Sequence, residues 1–394
     1  MAERTIKGRA AVVGVGESVY YKHGRSPDRE FVLTMKAILA ACADAGIDPK
    51  DLDGFVSFAD DRNTGIRVAA ALGVHEMRWS TMQWGGGGAG GSAAVQQAAG
   101  AVAAGFAENV VVYRGLSQGE FGRFGGALPR RPQDSLRVAY GMNSPGEWSA
   151  ARMVRYMHET GVDPVTQRAV SMASYFHAQQ NPRAVMYGKP LTEEAYDASR
   201  WIVEPWRLYD FCQENDGAAA LIVTSAERAR ELTDRPAYLL AAAQGSGPRG
   251  GSFIEGVYDS PVFATAEFVP VARRLFDMAG ITPKDVDVVQ SYENFTGGVV
   301  MSLIEHGFCE PEGAAEFFTV ENLTAPAGGL PLNTSGGNLA EAYIHGLELC
   351  VEAVRQIRGE SPNQVPDAKV SFVSSGPMVI PASNVIFGTE EALG

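Results

Sequence analysis

The chain has 394 residues, 45% of them hydrophobic and 20% charged, enough to bury a large core in two similar domains. A formal net charge of −13 argues against nucleic acid as the main partner, because phosphate backbones are met by basic stripes. No run reaches the ~18–20 apolar residues that span a bilayer. No signal-like run follows Met1-Ala-Glu-Arg4, and Cys42, Cys212, Cys309 and Cys350 lack CxxC or zinc-ligand spacing. A cytoplasmic protein with reduced, buried thiols and no metal of its own is expected.

In chain order, Arg9 to Gly16 is an apolar run ending in glycines, a buried strand. Its Gly14-Val-Gly16 lacks the third glycine and the immediate helix of a dinucleotide fingerprint, so that reading fails. Phe31 to Ala45 has helical periodicity closed by Gly46, and Asp48 to Asp53 turns into a strand over Gly54 to Phe58. Trp84 to Gly105 is a run of glycines opening a helix almost without large side chains, and glycine costs roughly 1 kcal/mol at each interior helical position. A neighbouring helix or a bulky ligand must therefore come close to that backbone. Asn109 to Gly115 is another buried strand.

Residues of about 116–200 read as a long insertion with helices at Ser149–His158 and Gln167–Gln179, of the kind that serves binding. Its cluster Arg123, Arg130, Arg131 and Arg137 is either a solvated loop or a contact for an anionic ligand or partner. Phe211 to Ser225 returns to the core as a turn, holding a structural Asp216, and a buried strand. Ala226 to Leu232 is a helix. His306 reads as a cation at a helix C-terminus.

Ala45-Gly-Ile-Asp-Pro-Lys-Asp-Leu-Asp-Gly-Phe55 recurs as Ala279-Gly-Ile-Thr-Pro-Lys-Asp-Val-Asp-Val-Val289, an offset of 234 residues from Ala45 to Ala279. A duplication of βαβ type predicts an α/β fold of two pseudo-symmetric halves, residues 1–235 and 236–394, with mixed sheets around buried helices. The functional site is expected where the loops of the two halves face each other. Near the C-terminus, Asn333 to Gly337 forms a tight loop feeding a helix over Leu339–Val354, with Tyr343 and His345 beside it. Such a loop gathers backbone N–H groups and a positive helix end, which suits an oxyanion.

The duplicated halves, the Gln213-Glu-Asn-Asp-Gly-Ala-Ala-Ala220 stretch and the Asn333-Thr-Ser-Gly-Gly337 loop resemble the thiolase superfamily over nearly the whole chain, nearest its lipid-transfer or sterol-carrier subset. The resemblance fails at each catalytic position. Gly88 stands near the place of the nucleophilic cysteine, Tyr292-Glu293-Asn294-Phe295 replaces Asn-Glu-Ala-Phe, Tyr343 stands for the histidine of Gly-His-Pro, and Val373-Ser374-Ser375-Gly376 replaces Cys-x-Gly. Without those thiols an acyl-enzyme is excluded.

The Tyr…Tyr-Ile-His-Gly pattern resembles the thiolase-like aldolases of steroid side-chain degradation. That resemblance implies retro-aldol cleavage of a β-hydroxyacyl-CoA, of steroid side-chain type, to a ketone and a short acyl-CoA such as propionyl-CoA. It implies no cofactor on this chain, a homodimer core, and a partner made of an OB-fold and a zinc ribbon that carries the only zinc. Tyr292 and Tyr343 are the expected catalytic pair, with Tyr343 taking the hydroxyl proton. Glu293, Asn294 and His345 orient or tune the phenols, and Gly88, Gly336, Gly337, Gly346 and Ser374 line the substrate. A non-catalytic acyl-CoA or sterol scaffold and a partner-dependent acyltransferase are the alternatives.

Overall fold

The computed structural model describes residues 5–59, 61–84, 87–122, 138–247 and 262–394, so the arginines at 123, 130, 131 and 137 lie outside the described residues. Ten strands make one mixed sheet: β1 (Ala10–Glu17), β2 (Tyr21–Lys22), β3 (Gly54–Phe58), β4 (Trp79–Gln83), β5 (Val110–Ser117), β6 (Asn215–Ser225), β7 (Ala237–Gly245), β8 (Val288–Ser291), β9 (Val370–Ser375) and β10 (Ala382–Gly388). Their order is β8-β9-β10-β7-β1-β6-β5-β3-β4, with β2 beside β6.

The duplication read in the sequence is visible in the pairing. Outward from the β7–β1 junction, each side adds two antiparallel strands and then a parallel one, β10, β9 and β8 on one side and β6, β5 and β3 on the other. Beyond these, β4 runs parallel to β3, and Leu332 makes a parallel bridge to Val289 of β8. The junction is short, pairing only Ala11 with Tyr238 and Val12 with Ala237, so the two expected sheets are hydrogen-bonded into one.

Helices α1 (Glu30–Ala45) and α2 (Gly90–Ala103) belong to the first side. The Gly14-Val-Gly16 pair has a packing role: a Cβ at Gly14 would stand 2.3 Å from the Ala41 carbonyl oxygen, and one at Gly16 2.2 Å from that of Ala37. The bare strand thus lets α1 lie against β1. Helices α3 (Pro145–Thr160) and α4 (Val165–Ala178) follow. The first starts four residues earlier than its periodicity predicts, because Ser144 and Glu147 form a capping box around Pro145. Side chains of both helices share an apolar cluster with α5 (Val269–Ala279) and α6 (Thr296–Glu305), so this stretch packs into the core.

Helix α7 (Leu347–Arg358) and helix α2 are buried between strands of both sides: α2 touches β3, β6, β7 and β10, and α7 touches β8, β9, β6 and β1. The single helix expected over Leu339–Val354 is instead broken. One π-turn, Gly337–Glu341, gives way to an extended Ala342, then to left-handed His345 and Gly346, and only then to α7. Carbonyls that would continue the helix are taken from outside it. Asn338 O accepts from Gln213 N, Leu339 O from Gln213 Nε2, Ala340 O from Met186 N and Glu341 O from Val185 N. Local propensity yields to these tertiary bonds.

His306 ends α6 as expected but carries no charge. It is buried among Phe268, Phe276, Phe308 and Phe372, and burial pushes its pKa down to about 4. No helix among the described residues is long and apolar enough to cross a membrane.

Candidate active site

Two phenols meet where the halves face each other. Tyr292 follows β8 and is held there by its own N–H, which donates to the Ser374 carbonyl at 2.9 Å. Its ring fills space left by two glycines. A Cβ at Gly88 would stand 2.0 Å from Tyr292 Cζ, and one at Gly346 2.8 Å from Cδ2. Tyr343 lies on the break before α7, where its N–H donates to Asn215 Oδ1 at 2.6 Å. The two phenol oxygens are 2.7 Å apart, a direct hydrogen bond between buried rings.

Electrostatics fixes the resting state of this pair. Burial, then Tyr343, push the Tyr292 phenol well above its usual range; burial, then Cys212, do the same to Tyr343. Both are therefore phenols, not phenolates, at neutral pH. Neighbours that would lower a phenol's pKa to make a base are outweighed by burial here: the Tyr292 hydrogen bond and Arg114 draw Tyr343 down without reversing the shift.

The other expected residues divide. Glu293 is fully buried and accepts from Ser174 Oγ at 2.8 Å and Leu339 N at 3.2 Å, and burial holds it protonated far above the usual carboxylate range. Gly337 leaves room for that carboxyl, since a Cβ there would stand 2.6 Å from Glu293 Oε1. Gly336, at φ +109°, lies against Ala178. So Gly88, Gly346, Gly336 and Gly337 shape slots that other parts of the protein fill. Asn294 lies just before α6, its Oδ1 accepting from the N–H of Phe295 at 3.1 Å.

Ser374 does not reach the phenols. Its hydroxyl bonds to Ser291 Oγ at 2.8 Å and Ser302 Oγ at 3.0 Å. Successive residues of a strand point to opposite faces, and Val373, not Ser374, joins the apolar cluster containing Tyr292 and Tyr343. Ser375 bonds to Ser92 of α2 at 2.8 Å.

His345 stacks edge-on against Tyr343, with ring centres 5.2 Å apart. Arg114 Nε donates to its Nδ1 at 3.2 Å, and burial, then Arg114 and Arg62, hold the imidazole neutral. Arg114 is itself 2% exposed and rests on the Phe58 carbonyl at 2.9 Å and the Asp61 carboxylate at 3.3 Å. Sequence reasoning missed Arg114, Asp61, Asn215 and Cys212. The one available signal was a lone arginine inside the buried strand Val110–Ser117. Cys212 lies close enough to raise both phenols, but burial keeps it a thiol. Among the described residues no group of three or more His, Cys, Asp or Glu could hold a metal ion.

This geometry can pass protons between a bound hydroxyl and a carbon, and it offers no thiolate for acyl transfer. The sequence profile of the Thiolase C-terminal domain-like family matches residues 256–389. The 17-hydroxy-3-oxo-4-pregnene-20-carboxyl-CoA lyase of Mycobacterium tuberculosis is 42% identical over 97% of this chain and 100% of its own. The steroid side-chain-cleaving aldolase of Thermomonospora curvata is 40% identical over 98% of this chain and 99% of its own. The solved structure of an Ltp2-ChsH2(DUF35) aldolase superposes with a TM-score of 0.90 at 38% identity, covering 99% of this chain and 100% of that one. With identities of 42% and 40% over nearly its whole length to these two enzymes, on a thiolase-like frame, the chain belongs to the thiolase-like family of steroid side-chain-cleaving aldolases.

Proposed function

We propose that this protein cleaves a β-hydroxyacyl-CoA thioester bearing a steroid by a retro-aldol reaction, releasing a ketone and a short acyl-CoA such as propionyl-CoA. The observation that carries this reading is the 2.7 Å bond between Tyr292 and Tyr343 in a site with no thiolate. In the reaction the Cα–Cβ bond breaks, its electrons pass to the thioester as an enolate, and the carbinol becomes a ketone. The hydroxyl proton must leave and a proton must reach Cα.

Two neutral phenols do this as a relay. The substrate hydroxyl gives its proton to the Tyr343 oxygen, Tyr343 passes its own to Tyr292, and Tyr292 delivers a proton to the enolate carbon. Protons balance and no phenolate need stand alone in a buried site, where desolvation opposes it. The enolate oxygen needs preorganised donors, each worth roughly 3–4 kcal/mol.

The proposal extends to assembly. A partner chain is supported by the solved relative, an Ltp2-ChsH2(DUF35) aldolase; the homodimer core, the OB-fold and zinc-ribbon character of that partner with the only zinc, and the cytoplasmic setting are proposed from the family resemblance alone. The test is release of the short acyl-CoA from a steroid β-hydroxyacyl-CoA by the chain co-expressed with such a partner. Tyr292→Phe and Tyr343→Phe should each lower kcat by about 10²–10⁴ while thioester binding persists. Binding by wild type with no cleavage would instead favour the scaffold reading.

A further inference from the structure

We infer that Asn338 is a positioning residue that holds the Tyr292 and Tyr343 phenols in contact by tying the backbone after Tyr292 to the acid that opens α7. Its kinetic consequence rests on the retro-aldol reading, and its structural consequence does not. Three observations carry the inference. First, Asn338 is fully buried and its amide is engaged at both atoms: Oδ1 accepts from the Glu293 N–H at 2.9 Å and Nδ2 donates to Glu348 Oε1. A backbone N–H can only donate, so Glu293 fixes which way the amide faces and turns Nδ2 to Glu348. Secondly, Glu348 is buried in the first turn of α7, so this bond braces the irregular backbone from 338 to 348, and Tyr343 sits midway along it. Thirdly, the same loop grips the other side of Tyr292. Asn333, left-handed at φ +53°, accepts from the Ser291 N–H at 2.7 Å and donates to the Ser291 carbonyl at 2.9 Å.

Two asparagines of one segment thus bracket the Tyr292 backbone, at Ser291 and at Glu293, and that segment runs on to carry Tyr343. The pair needs such a brace because its members stand on separate pieces of chain, one at a strand end and one on backbone without a helical ladder. The turn before β6 supports both pieces from the first half. Cys212 N donates to the Asn294 carbonyl at 3.1 Å, Gln213 N to the Asn338 carbonyl at 2.8 Å, and Asn215 Oδ1 accepts from Tyr343 N at 2.6 Å. Leu339 N also donates to Glu293 Oε1, at 3.2 Å, and Asn338 carries this join on to α7. The chemistry calls for an amide: one carbon must offer an acceptor to an N–H and a donor to a carboxyl oxygen, where aspartate offers two acceptors and leucine neither. A relay through two phenols depends on their separation, and that separation is what the brace sets.

The test compares Asn338→Leu, Glu348→Met and Glu348→Gln in the co-expressed complex, with kcat and KM measured separately and each variant crystallised. Asn338→Leu and Glu348→Met are expected to lower kcat by about 10²-fold with KM within a few-fold of wild type, the cost of misplacing reacting groups by about 1 Å. Their phenol oxygens should stand beyond the roughly 3.2 Å reach of a hydrogen bond. Glu348→Gln keeps an oxygen that accepts from Nδ2, so its kcat should stay within a few-fold of wild type. Combining Asn338→Leu with Glu348→Met should cost no more than Asn338→Leu alone, because both remove one bond. Should Asn338→Leu not fold, the contrast between Glu348→Met and Glu348→Gln decides. Phenols still 2.7 Å apart in Asn338→Leu or Glu348→Met, effects on KM alone, or losses that multiply would overturn the inference and leave the retro-aldol reading intact. Wild type that binds but never cleaves would overturn that reading, and the phenol separation in the variant crystals would then decide the inference by itself.

Discussion

The two glycine loops of the duplicated frame occupy matching places and do opposite things. In the first, Gly87 and Gly88 belong to a single 3₁₀ turn that runs into α2, and the sequence between β4 and α2 holds no titratable side chain. In the second, Leu332 takes the place of β4 beside its parallel strand, but nine residues of π-turn and irregular backbone, from 338 to 346, separate Gly337 from α7 and carry Tyr343 and His345. The halves are complementary in volume. Gly88 has no side chain because the ring of Tyr292 fills that space, and Gly346 gives way to the same ring. A phenol from a strand end thus fills the space that a side chain on the facing loop would need. The chemistry changes because the space is reassigned, with the frame kept.

The strongest way to break this complementarity is to restore a side chain at 88. Gly88→Ala is expected to expel Tyr292, lowering acyl-CoA release in the cleavage assay by at least the factor expected for Tyr292→Phe. Overpacking of this kind also destabilises by about 1–3 kcal/mol, readable as a lower Tm. Gly88→Cys should be equally inactive as an aldolase and should not become a thiolase, because Tyr343 still stands where a histidine is needed.

A middle-sized effect concerns the acids buried beside α7. Glu341 and Glu348 are pushed by burial to about 8. Their folded-state values lie above the unfolded value of 4.5, so the folded protein holds protons that the unfolded chain releases. Stability contributed this way is fully present below 4.5 and is lost as pH rises through about 8. Glu348→Gln should flatten that loss, narrowing the fall in Tm between pH 6 and pH 9. A Tm profile identical to wild type would show that Glu348 is already ionised when folded.

The smallest effect sharpens the map of the site. Ser374→Ala removes hydroxyl bonds to Ser291 and Ser302 in the core. About 1 kcal/mol of stability should go, with kcat and KM within about threefold of wild type. A large rise in KM would put Ser374 back against the substrate.

Much of the frame was legible because it is written in local pattern. The repeat from Ala45 to Ala279 became matching turns at Pro49–Asp51 and Pro283–Asp285 and matching strands β3 and β8. The candidate pair Tyr292 and Tyr343 was legible only through the family resemblance, since a tyrosine after a strand carries no signal of its own. Ser374 was misplaced because a motif position does not say which face of a strand its side chain takes. His306 was misread because helix position was visible and its aromatic surroundings were not.

By itself the sequence determined a duplicated α/β frame, the glycine-opened helices and the absence of a nucleophilic cysteine near Gly88, since periodicity, turn chemistry and composition act over a few residues. Only the tertiary structure decided where the helix after Gly337 breaks, which phenol meets which, and that Arg114 reaches His345 across 231 positions. Those outcomes rest on hydrogen bonds and excluded volume between segments far apart in the chain. Such interactions override local propensity wherever a buried backbone group or ring must find a partner.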